Sequence, residues 1–515
     1  MLHTELIAPV PELLERHAAA RPEKVAYWDT TRSVTYRELA HHTAAVATSL
    51  TKMGVREGDK IALLLPNGVD WIEACLACLR AGALVVPISH DAAEGEIAYR
   101  LEDASCRVVF TSASRKNLFE KLSIDRSLSA IMVIAGEGAE PADVTLQRLA
   151  SDASDDLLDF SDINRASFIL YTSGTTGRAK GVLLSVRGML WIAAACWAPI
   201  CGLSERDVVL SSLPLFHSYA LNLSVLSVLA TGASEHIMMK FSPQQALELL
   251  RTGKYSVFPG VPTMFHYIMQ RARELGIEKL GRARVFISAG AIMPAVLNRA
   301  FEERFKVPLL DGYGITETST MVTMNWMSGA RPMGSCGLPV PGLAVRIVDP
   351  ITQGDVPLGG EGELIVRGPN LMHGYHNKPV ETEAALRDGW YHTGDLAKSD
   401  ANGFLTITGR IKELIIRGGQ NIAPAEIEEV VVLHPQVVDC AVVGVPHATL
   451  GEVPHLFVVS ERGELDVDSL LAHCWTGLSA YKIPEQIHIV TEIPRTGSGK
   501  IMRFRLVEAL NAANG

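Results

Sequence analysis

Apolar residues recur along this chain at two periods, helical and strand-like, and their alternation predicts layers of helix on sheet. Thr35-Tyr-Arg-Glu38 reads as a capping box, in which the hydroxyl and the carboxylate each satisfy a backbone amide at a helix start. That helix is expected to run to about Lys52, with Gly54 supplying a left-handed exit. Lys60-Ile-Ala-Leu-Leu-Leu65 follows as a buried strand stopped by Pro66. A second helix covers about Val69 to Arg80, Gly82 ends it, and Ala83-Leu-Val-Val-Pro-Ile88 is the next strand. Strand, helix, strand implies a right-handed parallel crossover. The alternation continues through Arg107-Val-Val-Phe-Thr111 and Ala130-Ile-Met-Val-Ile134, so one helix-covered α/β sheet is expected over roughly the first 230 residues.

Around Val345 to Val366 the pattern turns to short strands with Gly-rich turns, which predicts a small barrel or bent sheet. Past Gly409 a further unit begins. Ala423 to Val432 reads as a helix, Val437 to Val445 and His455 to Ser460 as strands, and Asp468 to Gly477 as a helix. The expected fold class is therefore α/β: a large N-terminal domain of helix-covered sheets plus a small barrel-like β subdomain, and a small α+β C-terminal domain. The division is placed at 1–409, 410–412 and 413–515, and no internal repeat is visible. Gly188 to Ser204 lacks charge but contains Pro199 and Gly202 and is shorter than a membrane span, so a buried helix is the better reading. Met1 to Arg21 has no basic-then-apolar leader pattern, and the terminal Asn-Ala-Ala-Asn-Gly is no peroxisomal address.

Composition narrows the function classes. With 515 residues and 48% hydrophobic content the chain can bury more than one core. A formal charge of −10 with no long single-sign run disfavours a general nucleic-acid or anionic-membrane surface. A polyanionic ligand would need local positive charge. The eight cysteines are scattered; Cys75 and Cys78 lie in an apolar segment and read as a buried helix face, without a partner pair at zinc spacing. A reducing cytoplasm suits this usage.

The densest chemical signal is Tyr171-Thr-Ser-Gly-Thr-Thr-Gly-Arg-Ala-Lys-Gly181, between the strand candidates Ser167-Phe-Ile-Leu170 and Val182-Leu-Leu184. Glycines let backbone amides turn towards phosphate oxygens, hydroxyls add donors, and Arg178 and Lys180 add charge. It is not the common NTPase P-loop, since two residues rather than four separate Gly174 from Gly177. The bland alternative is a solvent loop. Further segments follow in order: Leu213-Pro-Leu-Phe-His-Ser-Tyr219, Gly260-Val-Pro-Thr263, Ser288-Ala-Gly-Ala-Ile292, Asp311-Gly-Tyr-Gly-Ile-Thr-Glu317, Trp390-Tyr-His-Thr-Gly-Asp-Leu396, Gly409-Arg-Ile-Lys412, Arg417-Gly-Gly-Gln-Asn421 and Pro494-Arg-Thr-Gly-Ser-Gly-Lys500.

Read together, from about Thr35 to Arg505, these segments resemble the adenylate-forming superfamily of acyl-CoA synthetases, carrier-loading adenylation domains and luciferases. The resemblance implies a phosphate loop at Thr172, Ser173, Gly174, Thr175, Thr176, Gly177 and Lys180. It implies an adenine contact at Asp311, Gly312 and Tyr313, an α-phosphate contact at Thr316, and Mg2+ at Glu317. Asp395 and Arg410 would hold the ribose; an ionised carboxylate accepts from both hydroxyls. His217 would lie beside the reacting carboxylate, with Phe216, Tyr219, Val261, Ser288, Ala289, Gly290 and Gly314 around the acyl pocket; a satisfied core histidine is the alternative for His217. Lys412 falls at the hinge between domains, although alone it is an ordinary surface lysine. Lys500 would enter from the small domain and bridge carboxylate and α-phosphate oxygens as the adenylate forms. Gly418, Gly419, Gln420 and Asn421 would line the pantetheine tunnel after rotation.

One departure stands out. Where the family often carries a His and an Asn after the Lys-Gly pair, this chain has Val186 and Gly188. The implied activity is ATP-dependent ligation of a small-molecule carboxylic acid to coenzyme A, through an acyl-adenylate and with Mg2+. The pocket segments Ser218 to Leu223, Ser288 to Met293 and Ile315 to Thr323 carry no Lys or Arg. An acid with an apolar far end is therefore expected: aryl, arylpropenoic or medium-chain fatty. The alternatives are an enzyme loading a free-standing acyl carrier, a luciferase-like oxygenation, and a catalytically silent nucleotide or acyl sensor. Val467-Asp-Ser-Leu470 superficially resembles a phosphopantetheine site but reads better as a helix start.

Overall fold

The computed structural model describes residues 2–126, 130–151, 159–172, 179–460, 464–496 and 500–514. Local sequence signals act as expected at its start. Thr35 Oγ1 accepts from the Glu38 amide at 3.2 Å and Glu38 Oε2 from the Thr35 amide at 2.8 Å, opening the helix Tyr36–Lys52. Gly54 then takes φ +86°. The helix Val69–Arg80 is buried along its whole length, Cys75 and Cys78 included. All eight cysteines are free and buried.

Among the described residues the strands pair into four sheets. The first has seven strands, with Leu84–Pro87, Lys60–Leu64, Val108–Ser112 and Ile131–Ala135 parallel and Ala166–Thr172 beside Leu84–Pro87. Lys180–Ser185 runs antiparallel to Ala166–Thr172, setting Thr172 opposite Lys180. The second has nine strands, and at its centre Leu309–Tyr313, Val285–Ser288, Val257–Gly260, Val208–Ser211 and Ser234–Ile237 run parallel. The single sheet expected for the first 230 residues is thus two. Val25–Trp28 and Val208–Ser211 join the second sheet because their partners, Ser234–Ile237 and Val257–Gly260, lie far along the chain.

Phe258, Phe265, Phe286 and Phe301 lock edge to face, with centroids from 4.9 to 6.2 Å, and fix the central strands against the helices Pro262–Glu274 and Ala295–Phe305. Each such contact contributes about 0.5–1.5 kcal/mol beyond area burial, so the strand ends above them form a stiff platform. The uncharged stretch at Gly188 to Ser204 is buried but not one α-helix. The helix Val186–Ile192 widens to a π turn over Ala193–Trp197 and breaks at the Pro199 turn. A second π segment, Leu221–Ser227, packs beside it.

A five-stranded antiparallel sheet supplies the β subdomain, with Gly362–Arg367 and Trp390–Ser399 at its centre and Ala344–Val348 at one edge. The smaller C-terminal α+β domain lays the helices Pro424–Val431 and Val467–Gly477 on a sheet of Val437–His447 and Gly451–Ser460. Asp466 caps the latter helix by accepting from the Ser469 amide at 3.0 Å, which makes the Val467 segment a helix start. Among the described residues no helix is long and apolar enough to cross a membrane.

Candidate active site

The carboxyl ends of Val257–Gly260, Val285–Ser288 and Leu309–Tyr313 open onto a cleft of about 310 Å³, the usual ligand position on an open parallel sheet. Its far wall comes from the C-terminal domain, through Pro424, Glu428, Lys500 and Arg503.

The segment after Leu309–Tyr313 doubles back so tightly that a Cβ on Gly314 would sit 1.3 Å from the Thr320 carbonyl oxygen. Ser319 and Thr320 close the turn at φ +52° and +110°, a conformation costing about 1–3 kcal/mol per residue. Surrounding bonds hold it there. Asn370 Nδ2 donates to the Thr318 carbonyl at 2.7 Å, Ser319 Oγ to the Asn370 carbonyl at 2.7 Å, and Thr320 Oγ1 to the Ser218 carbonyl at 2.9 Å. The turn presents Thr316, whose hydroxyl lies 3.3 Å from Ser218 Oγ, and Glu317. Gly188 packs beneath it, where a Cβ would meet Ser319 Oγ at 3.0 Å.

Three side chains converge on the cleft floor. Asp395 and Arg410 face each other across adjacent antiparallel strands, and Arg410 Nε donates to Asp395 Oδ1 at 2.7 Å. Tyr313 Oη donates to Asp395 Oδ2 at 2.5 Å. Asp395 is 2% exposed, and burial raises its carboxyl although Arg410 and Tyr313 oppose that. Gly394 at φ +70° makes the bend before it, held by its amide on Glu363 Oε1 at 3.0 Å. Asp311, on the cleft wall, is held well above the carboxylate range by burial. Its Oδ1 and the hydroxyl of its register partner Ser288 are both buried out of reach of solvent.

Lys180 Nζ lies 4.9 Å from the Tyr375 ring centroid, and Tyr375 Oη donates to Glu317 Oε1 at 3.0 Å. Tyr375 therefore joins Lys180 to the Glu317 carboxylate of the turn, whose pKa burial raises. Among the described residues no cluster of three or more His, Cys, Asp or Glu could hold a metal by itself. A single carboxylate suits Mg2+ carried in on phosphate oxygens, the common mode for that ion. Lys500 lines the cleft; burial and then Arg410 lower its pKa, against the pull of Glu413, Asp395 and Glu317. His217 is driven down to about 4 by burial and then by Lys500, so its ring is neutral at physiological pH. The Tyr219 amide points at its Nδ1 at 3.3 Å, which leaves Nε2 as the protonated nitrogen.

Of the residues singled out in the sequence, Asp311, Gly312, Tyr313, Gly314, Gly290, Asp395, Arg410 and Lys500 share this one cleft. Val261 packs against Gly290, and Ala289 and Ser288 are buried behind it. Tyr219 is buried, its hydroxyl donating to the Ile287 carbonyl at 3.1 Å and its ring stacked on Trp197; Phe216 is half-buried. Thr172 ends its strand; Ser173, Gly174, Thr175, Thr176, Gly177 and Arg178 lie outside the described residues. The Gly418-Gly419 turn, with φ +58° and +83°, stands exposed with Gln420 and Asn421 and does not line the cleft. Lys412 is exposed in the short turn Ile411–Glu413. Tyr375, Asn370 and Glu363 were missed by sequence reasoning. The Gly374-Tyr375 pair is too short for any periodicity, and only its Gly-Tyr-His-Asn composition between two chemical segments marked it.

Comparison with known proteins agrees with this geometry. A family model described as AMP-binding enzyme matches residues 14–376, and its C-terminal domain model matches 426–500. The chain is 34% identical to a feruloyl-CoA synthase from Amycolatopsis sp over 95% of its length and 96% of that protein. It is 33% identical to a long-chain-fatty-acid–CoA ligase from Yersinia pestis over 96% and 93% of the two chains. It superposes with a TM-score of 0.92 on the crystal structure of an anthranilate CoA ligase in complex with anthranoyl-AMP, at 27% identity over 99% of this chain and 98% of the other. A cleft built at those strand ends, matched over nearly the whole length, establishes that this chain belongs to the AMP-binding enzyme family.

Proposed function

We propose that the cleft forms an acyl-adenylate from ATP and an acid with an apolar far end, and that the same chain then transfers the acyl group to coenzyme A. Membership of the acyl-CoA synthetases within this family carries the reaction class. The observation that supports the site assignment is the convergence of Tyr313, Asp395 and Arg410 on the floor with Lys500 above them. Asp395 accepts the ribose hydroxyls through the lone pairs that Tyr313 and Arg410 leave free. The adenine would lie along Asp311, Gly312 and Tyr313 on the cleft wall, with Lys180 and Thr316 towards the phosphates.

In the first half-reaction an acid oxygen attacks the α-phosphorus and the bond to pyrophosphate breaks. Lys500 places its ammonium against the charge that grows on the phosphate and the incoming oxygen. His217, neutral and donating through Nε2, orients the carboxylate without a competing cation. Mg2+ held at Glu317 would neutralise phosphate charge. In the second half-reaction the CoA thiolate attacks the acyl carbonyl and AMP leaves. The C-terminal domain, 413–515, would turn about 410–412 with Lys412 as hinge. That turn withdraws Lys500 and brings the exposed Gly418–Asn421 hairpin to the thiol path. Lys and Arg are absent from the acyl segments, which favours aryl, arylpropenoic or medium-chain acids. Eight reduced, buried cysteines suit a cytoplasmic setting.

The test is ATP–pyrophosphate exchange with ferulic, benzoic, octanoic and malonic acids, each followed by acyl-CoA formation. Exchange with one of the first three and thioester only when CoA is added is expected. Exchange confined to malonate, or none with any acid by protein that binds Mg·ATP, overturns the assignment.

A further inference from the structure

Between the acyl segment and the strained turn lies one fully buried amide, Asn222, with every polar group engaged. It sits at the second position of the π segment Leu221–Ser227, and such segments recur at functional sites. Its Oδ1 accepts from Trp197 Nε1 at 2.6 Å. Its Nδ2 donates to the Met189 carbonyl at 2.9 Å and to the Ser319 carbonyl at 3.0 Å. Trp197 in turn stacks on Tyr219 at 6.1 Å and 22°.

We propose that Asn222 is a positioning residue that couples the acyl-pocket wall to the Ser319 end of the nucleotide turn, so that acid and ATP bind cooperatively. This rests on the reading of Tyr219 as pocket wall and of Thr316 and Glu317 as phosphate and metal groups. The coupling is geometric. An acid that presses on Tyr219 moves the stacked Trp197, whose indole donor is tied to Asn222 Oδ1. The amide is planar, so a tilt that follows Trp197 withdraws Nδ2 from the Ser319 carbonyl. That carbonyl belongs to a residue at φ +52°, two positions after Glu317. With the wall in its packed position the turn is braced; without the brace a buried carbonyl is left unpaired. Ser218 gives the same wall segment two further bonds to the turn, through Thr316 and Thr320.

The experiment measures KM for ATP in pyrophosphate exchange at low and saturating acid, using whichever of ferulic, benzoic or octanoic acid reacts fastest. In the wild type, saturating acid is expected to lower KM for ATP by roughly fivefold or more. Asn222→Ala is expected to bring that ratio below about twofold and to lower kcat by roughly tenfold. Trp197→Phe keeps an aromatic ring against Tyr219 but loses the indole donor and some buried volume; it should reduce the ratio in the same direction and serves if Asn222→Ala does not fold. Thr231→Val removes buried bonds to the Ser227 and Val228 carbonyls without touching Asn222 and should lower Tm while leaving the ratio intact. An active wild type whose KM for ATP ignores the acid, or a folded variant that keeps the full ratio, overturns the coupling. A wild type without exchange sinks the proposed function instead.

Discussion

Replacing Asp395 by Asn tests the cleft floor with a change of one atom type. Each carboxylate oxygen receives one protein donor, Arg410 at 2.7 Å and Tyr313 at 2.5 Å, and keeps a lone pair for a ribose hydroxyl. In Asp395→Asn the amide oxygen must face Arg410, because a guanidinium cannot accept a hydrogen bond. The NH2 then falls on the Tyr313 side, the phenol must reverse its hydroxyl, and one of two ribose acceptors becomes a donor. A hydrogen bond to a charged group is worth about 1.5–3 kcal/mol, so KM for ATP should rise roughly 10- to 150-fold. KM for the acid should stay within about twofold, since the acyl segments lie on other strands. The fold should survive, because removing a buried charge offsets the loss of Arg410's counter-ion, and Arg410 is 33% exposed and partly solvated. Pyrophosphate exchange across an ATP titration reads the result. An unchanged KM for ATP, or an effect confined to the acid, would show that the floor does not hold the ribose.

Lys500→Ala should abolish most exchange activity while thioester formation from supplied acyl-adenylate persists; equal loss of both half-reactions contradicts its withdrawal during the cycle. His217 falls from the usual 6.5 to about 4 on folding, so between those values the unfolded chain binds more protons. Stability should therefore rise with pH across that window, and His217→Gln should flatten the slope of urea-derived stability against pH; an unaltered slope means the ring is not held neutral. Gly188→Ala places a Cβ 3.0 Å from Ser319 Oγ and should cost about 1–3 kcal/mol with weaker ATP use. A silent Gly188→Ala would mean the turn has slack.

Signals of short range were legible before the fold was known. The Thr35–Glu38 box, the helix Val69–Arg80 and the strand Lys60–Leu64 rest on neighbouring residues, and they form. Sheet membership was not legible, because whether Val208–Ser211 lies beside Ala166–Thr172 or Val257–Gly260 is decided by packing across long chain separations. The chemical segments pointed to the cleft through their order, yet the groups that brace it did not announce themselves. Asn222 and Asn370 look like ordinary buried amides until the backbone carbonyls of residues 318–321 are seen to need them. The π turns escaped for a related reason: an extra residue in a helical turn leaves the apolar period nearly intact.

A mixed anhydride is an acylating agent, and the protein that makes it is its nearest neighbour. Cys336 lies on the wall of the same cleft, yet it is sealed in with its thiol aimed at the Leu405 carbonyl at 3.2 Å and its pKa pushed up by burial to about 12. With the other seven sulfurs equally enclosed, the enzyme offers its own intermediate no thiolate to capture it. Self-inactivation is thereby avoided, and the activated acyl group keeps for the incoming carrier thiol.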